Sequence, residues 1–382
     1  MGLVLVGCVI LACFLNKASV DGLVIANNVH TDYQITGQFG DFVGGVVGTF
    51  FALSGTLLIY LNFKEQTKEN KRSAFEASFF EMIRLYRDNV SELKYVKNNN
   101  GNNTIYENRQ VLREIFKEFI DCYREIKKFS NSRDEKYYFN STYAKKLKEI
   151  TLEANIKANI IEMAIIDLAF MIVFFGLSSE GEQIIKSNIQ KKYNRDYYYK
   201  LIYFIKLKPK RSNTERYNNW IRLLSLNSKE YHAVIDALYS SRKNTKGISP
   251  TIQLASDFKM ELPYDKYYGG HQFRLGHYFR HLFQSYKYLN NHPDLQDKEK
   301  YEYGKMYRAQ LSTYEQALLL VNSISSLGMK WELTPENTAS PKNSTKLITK
   351  YNLIKNLPGK HLSGIRYATY YPNVSYESDE NT

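Results

Sequence analysis

Two stretches near the N-terminus show no alternation of apolar and polar positions. Residues 2–15 are apolar with no charge before Lys17, and residues 42–63 (FVGGVVGTFFALSGTLLIYLNF) carry no charge at all. The second run reaches the roughly 20 residues that cross a bilayer, and the first falls short of it. Read as helices over 2–16 and 42–63, they predict a two-helix transmembrane hairpin. Gly44 and Gly48 make a GxxxG step on the second helix, and with Gly45, Ser54 and Gly55 they would let another helix approach closely. The first run has neither the basic start nor the cleavage pattern of a secretory signal. Leu11-Ala12-Cys13 leaves a weak lipoprotein-like alternative. Lys17 stands among Asp21, Asp32 and Asp41 between the runs, whereas Lys64, Lys68, Lys71 and Arg72 follow the second. That bias predicts both ends of the hairpin in the cytoplasm, with the bulk of the chain there.

Beyond Phe63 the pattern becomes amphipathic. Phe75, Phe79, Met82, Ile83, Tyr86, Val90 and Leu93 recur at three- and four-residue steps, which predicts a helical stalk over 64–97 continuing from the second span. The string NNNGNN (98–103) ends it. From 98 to 366 the pattern predicts a helical cytoplasmic domain, with helices over 111–129, 160–177, 271–289 and 299–327. The 160–177 run is nearly all apolar but holds Glu162 and Asp167, which are costly in lipid. It therefore reads as a core helix rather than a third span. Gly247, Pro250, Pro263 and Gly269-Gly270 mark 247–270 as a connection, and 367–382 reads as a fraying polar tail. Strands beyond short pieces and repeats of 20–50 residues are not evident. The expected fold class is all-α.

Composition adjusts this picture in three ways. The 382 residues include 43% hydrophobic and 14% aromatic, which excludes a disordered chain. Mean hydropathy is −0.45, an average that hides a short anchor in a long polar chain. Of three cysteines, Cys8 and Cys13 lie in the first apolar run. Only Cys122 is left for the body, so a disulfide scaffold and a cysteine zinc site are excluded there, and a reducing compartment is expected.

Walker A, GxGxxG, GxSxG, HExxH and CxxC patterns are absent, so nucleotide hydrolysis, dinucleotide redox and zinc proteolysis lack support and no cofactor is expected. One cluster could do chemistry. In GGHQFRLGHYFRHLFQ (269–284), Arg274, His277 and His281 fall three and four residues apart on one helix face. An imidazole there could take a proton from a ribose 2′-hydroxyl while the guanidinium held the phosphate. The spacing Arg274-x6-His281 sits at the loose end of the R-x4–6-H motif of HEPN-type ribonucleases. The same helix carries Phe273, Tyr278, Phe279, Leu282, Phe283 and Tyr286, so its histidines read equally well as packing or surface groups. Metal binding by His277 and His281 has no nearby carboxylate to complete it.

The formal net charge of +13 concentrates in KKYNRDYYYKLIYFIKLKPKR (191–211), where cations and tyrosines interleave. Such a run could stack on RNA bases or lie against an anionic membrane leaflet, and it is specific for neither.

Read as a whole, the chain resembles the AbiC-like phage abortive infection family. The resemblance rests on GDFVGGVVGTFFALSGTLLIYLNFKEQTKE (40–69), AFEASFFEMIRLYRDNV (74–90), GGHQFRLGHYFRHLFQSYKYL (269–289), YGKMYRAQLSTYEQALLLVNSISSLG (303–328) and LITKYNLIKNLP (347–358). These parts occur in the family's order, and 95–265 matches only in general helical character. The resemblance implies a defence protein tethered to the bacterial inner membrane that stops the infected cell, without implying a mechanism. Residue by residue, His277, Tyr278, Phe279 and Arg280, then Arg308, Gln310, Leu311, Tyr314, Glu315 and Asn322 match the family pattern. Arg308 and Glu315, seven apart, are expected on one face of the 299–327 helix, where a buried Arg/Glu/Asn network would explain them as well as an active site.

Three readings follow. The first is a membrane-anchored effector that senses infection through its helical body, with a homo-oligomeric hairpin and a phage-encoded or defence-operon protein as trigger. The second is a membrane-tethered, metal-independent HEPN-like ribonuclease acting on RNA. The third is a membrane-bound sensor or scaffold without catalysis.

Overall fold

Both uncharged runs are helical in the computed structural model, which describes residues 2–21, 33–99, 102–241, 266–333, 346–359 and 361–377. The chain is mostly helical, 73% helix against 5% strand. It divides into two compact units, Met1–Ser78 and Phe79–Thr382.

In the first unit, α1 (Gly2–Val20) is followed by α2 (Tyr33–Phe42), a π-helical turn (Val43–Val47) and the start of α3 (Gly48–Ser91). The helical stretch therefore begins at Tyr33, before the uncharged run expected from 42. Gly7 faces Val47, Phe50 and Phe51, and a Cβ there would lie 3.3 Å from Phe50 Cβ. Phe14 stacks on Phe42 with centroids 4.0 Å apart and lies 5.6 Å from Phe39. Positions 7 and 14 thus meet positions near 50 and then near 40, which is the order of an antiparallel pair. Both stretches are long and apolar enough to cross a membrane. Leu53, Leu57, Leu58, Ile59, Leu61 and Phe63 all stand exposed.

Helix α3 ends at Ser91, short of the stalk expected to 97. Lys94–Asn99 (β1) and Asn102–Glu107 (β2) instead pair antiparallel, with Asn99 opposite Asn102. This hairpin corrects the purely all-α expectation. Asn100-Gly101 falls between the paired runs, the dipeptide that two-residue hairpins favour.

The second unit is built around α4 (Arg109–Phe129) and α7 (Ile160–Phe175). Between and after them come α5 (Glu135–Tyr138), α6 (Ser141–Glu153), α8 (Ser179–Ile189), α9 (Arg195–Lys206), α10 (Thr214–Ser225) and α11 (Ser228–Ser241). Helix α7 is the core helix that its sequence predicts, buried at nearly every position from Ile160 to Val173. Its carboxylates are satisfied inside the protein. Asp167 accepts hydrogen bonds from the Tyr193 hydroxyl at 2.6 Å and the Ser326 amide at 2.7 Å, and Glu162 accepts one from the Tyr123 hydroxyl at 3.0 Å. A cluster of rings closes the far side: Phe204 stacks on Phe129 (5.2 Å) and on Trp220 (5.0 Å).

After residues 242–265, which lie outside the described residues along with most of the expected 247–270 connection, come α12 (Gln272–Asn291), α13 (Asp297–Arg308) and α14 (Thr313–Ile324). The single helix expected over 299–327 is thus broken at 309–312. The reason is a capping box. The Glu315 amide donates to Ser312 Oγ at 3.4 Å, and the Ser312 amide donates back to Glu315 Oε2 at 2.7 Å. Arg308 and Glu315 consequently sit on different helices and not two turns apart on one face. The expected fraying of 367–382 is also corrected over its described part. Tyr367, Tyr370, Tyr371, Val374 and Tyr376 are buried, and the Tyr371 hydroxyl donates to Ser323 Oγ at 2.7 Å.

Candidate functional site

A gathering of buried charged side chains lies where α12 begins, and two glycines place it. Gly176 ends α7 at φ +78°, and Gly270 precedes α12 at φ +88°. Their backbones cross so closely that a Cβ on Gly176 would lie 2.6 Å from Gly269 carbonyl atoms, and one on Gly270 would lie 2.6 Å from the Phe175 oxygen. Only glycine accepts both the left-handed conformation and the contact. The Leu177 amide bonds to the Tyr268 oxygen (2.9 Å) and the His271 amide to the Phe174 oxygen (2.8 Å), so the start of α12 is fastened to the end of α7.

His271 is thereby held against α4. Its Nε2 lies 2.9 Å from Glu118 Oε2, and both side chains are only 3% exposed. The other Glu118 oxygen accepts from the Tyr95 hydroxyl (2.7 Å) and from Lys97 Nζ (3.0 Å), both on β1. Arg274, one turn along α12, donates its Nε to the Lys94 carbonyl (2.8 Å). It places Nη1 3.4 Å from His271 Nδ1 and lies over the Tyr95 ring at 4.9 Å. Hairpin, α4 and α12 are thus joined at one buried node. Burial would raise the Glu118 pKa, but the His271 hydrogen bond, the charges of His271 and Lys97, and the Tyr95 hydroxyl together hold it down to about 2. Two turns along α4 a second buried pair repeats the device. Lys208 Nζ donates to Glu125 Oε1 (2.6 Å) and to the Tyr268 hydroxyl (3.1 Å), and it sits 3.7 Å from the Tyr267 ring centroid. Here burial wins and pushes the Glu125 pKa up in spite of Lys208.

The residues expected to do chemistry are not gathered into one site. Arg274 is committed to the node just described. His281 is half-buried and donates from Nε2 to the Met82 carbonyl on α3 at 2.9 Å. His277 is exposed on the same helix. Among the described residues no group of three His, Cys, Asp or Glu side chains could hold a metal ion.

The motif residues are mostly packing and capping groups. Glu315 is fully buried. It accepts from the Tyr86 hydroxyl, caps its own helix through Ser312, and lies 3.5 Å from Arg109 Nε. Arg109 also donates to the Gln310 carbonyl (2.7 Å), tying α4 to the α13–α14 turn. Arg308 donates to the Tyr351 carbonyl at 3.0 Å, and Asn322 Oδ1 accepts from Trp331 Nε1 at 3.2 Å. Tyr278 and Phe279 are buried against Tyr86 (5.9 Å) and Phe170 (6.1 Å), whereas Arg280 is exposed and Tyr314 partly so. Leu311 is buried at the turn between α13 and α14.

Sequence reading missed Glu118, Tyr95, Lys97, Glu125 and Lys208. The signal it could have used is the run of Glu114, Glu118, Asp121 and Glu125 beside the apolar positions of an amphipathic helix, since carboxylates that become buried require partners.

No curated protein and no solved structure matches this chain. A family model does match, over residues 270–362, which takes in the node residues His271 and Arg274, the GHYFR and RAQLS motifs and the 347–358 segment but not the N-terminal helices. Over those residues the chain is similar to the putAbiC family, described as "Putative phage abortive infection protein", in agreement with the resemblance that its motifs carry.

Proposed function

We propose that this chain is a membrane-anchored bacterial antiphage effector whose helical body responds to infection and halts the infected cell. The observation that carries this reading is the family match over 270–362. Two apolar N-terminal helices with exposed Leu, Ile and Phe side chains support the anchoring. The bias of Lys64, Lys68, Lys71 and Arg72 over the residues between the helices supports a cytoplasmic body at the inner membrane. Gly44 and Gly45 have no atom of another residue near their Cβ positions among the described residues, which suits self-association through this helix. A phage-encoded or operon-encoded protein is the trigger class that this role calls for.

The ribonuclease alternative draws little from the side chains, because Arg274 and His281 are spent on the Lys94 and Met82 carbonyls and His277 stands apart on the surface. The test is phage plating on a susceptible bacterium expressing wild type or His277→Ala/His281→Ala at matched membrane levels. The expected result is fewer plaques with both. Loss of protection in the double variant alone would revive RNA cleavage, and no protection by wild type against a broad phage panel would sink the defence reading.

A further inference from the structure

Along the outer side of α12, Phe273, His277, Arg280, Gln284 and Lys287 follow one another at steps of four and three residues, and all five are exposed. They form one straight stripe about 21 Å long at the rise of an α-helix. Lys330, on the 3-10 turn Met329–Trp331, joins the stripe from the side, with its Nζ 4.5 Å from the centroid of the Phe283 ring. Phe283 comes three residues after Arg280 and four before Lys287, so the ammonium is set between those two cations. No carboxylate stands on the stripe, and none of the three cations makes an ion pair among the described residues. Burial and the charges of Arg280 and Lys287 push the Lys330 ammonium below its ordinary value. Three cations that repel one another and lack a counter-charge are stabilised by an anion that settles among them. The stretch 191–211, by contrast, uses much of its charge and aromatic area inside the fold. Lys200 pairs with Asp236, Lys206 with Glu182 and Lys208 with Glu125, and Tyr193, Tyr197 and Tyr198 are buried.

We propose that the α12 stripe binds a single-stranded nucleic acid, with Arg280, Lys287 and Lys330 on its phosphates and the Phe273 ring under a base. The aromatic end decides the class of ligand. Phe273 is 98% exposed, so its ring faces are open, and a base of any kind can stack on such a face. A protein-binding surface has an apolar centre from which lysine is depleted. Here a single ring stands in line with cations, and no other large apolar side chain lies on the stripe. In a duplex the bases stack on each other and leave the ring no face to meet, so the ligand is a single strand. Gln284 and His277 lie between the ring and the last cation, where an amide and an imidazole can reach sugar or base. The inference concerns binding and not cleavage, since Arg274 and His281 remain on the Lys94 and Met82 carbonyls.

The experiment is fluorescence anisotropy of a labelled oligouridylate, and of an oligothymidylate of equal length, with the full chain in a non-ionic detergent over a range of salt. With three cations on phosphates, log affinity should fall against log salt with a slope of about −2, and in Arg280→Ala/Lys287→Ala with a slope of about −0.7. Phe273→Ala should weaken binding about ten-fold and leave the slope unchanged. Either strand behaving in this way supports the proposal, and the tighter of the two tells RNA from DNA. The whole chain carries a net charge of +13, so binding that the double variant leaves intact overturns the site, as does no binding at all. Displacement of the oligonucleotide by polyglutamate at equal charge assigns the stripe to an acidic protein instead, and an unchanged affinity in Phe273→Ala removes the stacking on which the choice of ligand rests. Intrinsic fluorescence of Trp220 and Trp331, both buried in the second unit, verifies that each variant is folded. The result is independent of the defence reading, since it is obtained without phage.

Discussion

The two units of this chain use the same apolar residues to opposite ends. In Phe79–Thr382, leucines, isoleucines and phenylalanines are buried against one another and against tyrosines, and α7 scarcely touches solvent. In Met1–Ser78, Leu53, Leu57, Leu58, Ile59, Leu61 and Phe63 project outward. Polar groups reverse in the same way. The body accepts Glu118, Glu125, Asp167 and Glu315 into its interior because each has a partner, whereas residues 42–63 contain no charge to satisfy. A buried carboxylate with several donors thus marks a protein core, whereas uncharged length with outward apolar side chains is what a lipid-facing surface requires.

The sharpest way to break this contrast is to charge the outward face. Leu57→Arg with Leu58→Arg should move the chain out of the membrane fraction, since each Arg at a span centre disfavours insertion by about 2.5–3.5 kcal/mol. Urea unfolding of the body, followed by its two buried tryptophans, should not change. Retention in the membrane would show that the exposed face has another partner. The converse test removes a buried charge. Glu118→Ala leaves Lys97, Tyr95 and His271 facing a gap and should lower body stability by about 3–5 kcal/mol while membrane partition stays constant.

Acid titration tests the same group without mutation. The Glu118 pKa is lowered from 4.5 to about 2, so the folded state favours the ionised form. Its contribution is present above pH 4.5 and is lost as pH falls toward 2. Wild type should therefore weaken more steeply across that window than Glu118→Gln, and parallel unfolding curves would contradict it. A smaller effect is expected at the α14 cap. Ser312→Ala should cost about 1 kcal/mol, read as a shift in the urea midpoint. Smallest of all, His277→Ala on the exposed face should stay within about 0.5 kcal/mol of wild type. A larger loss would give that residue a partner in the folded chain.

Local patterns foretold what is local. The uncharged runs, the amphipathic second half of α3, and α7 with its two carboxylates were all legible, because length and period encode them. The β1–β2 hairpin was read only as a helix stop, although Asn100-Gly101 between two short runs is also a hairpin signal. The break before α14 was written in Ser312-Thr-Tyr-Glu315, a capping box hidden inside a continuous helical period. The node at His271 was not legible, since Glu118 lies 153 residues away and no pattern in either segment names the other. The tail was misread because five of its residues between 367 and 376 are apolar or aromatic groups set among polar ones, and they find their burial only in the folded body.

The crossing of Gly176 and Gly270 has a consequence for how this sequence can vary. Each position is closed to every side chain, and changing both together brings no relief, since each added carbon would collide with the other strand's main chain. A library randomised at these two sites should return glycine at both, whichever property is selected, provided that the selection requires a folded body. Positions such as 273 or 277 on the outer face of the neighbouring helix would drift freely under the same selection. Restriction at 176 and 270 therefore reports on chain geometry, and only restriction on that outer face would report on a partner.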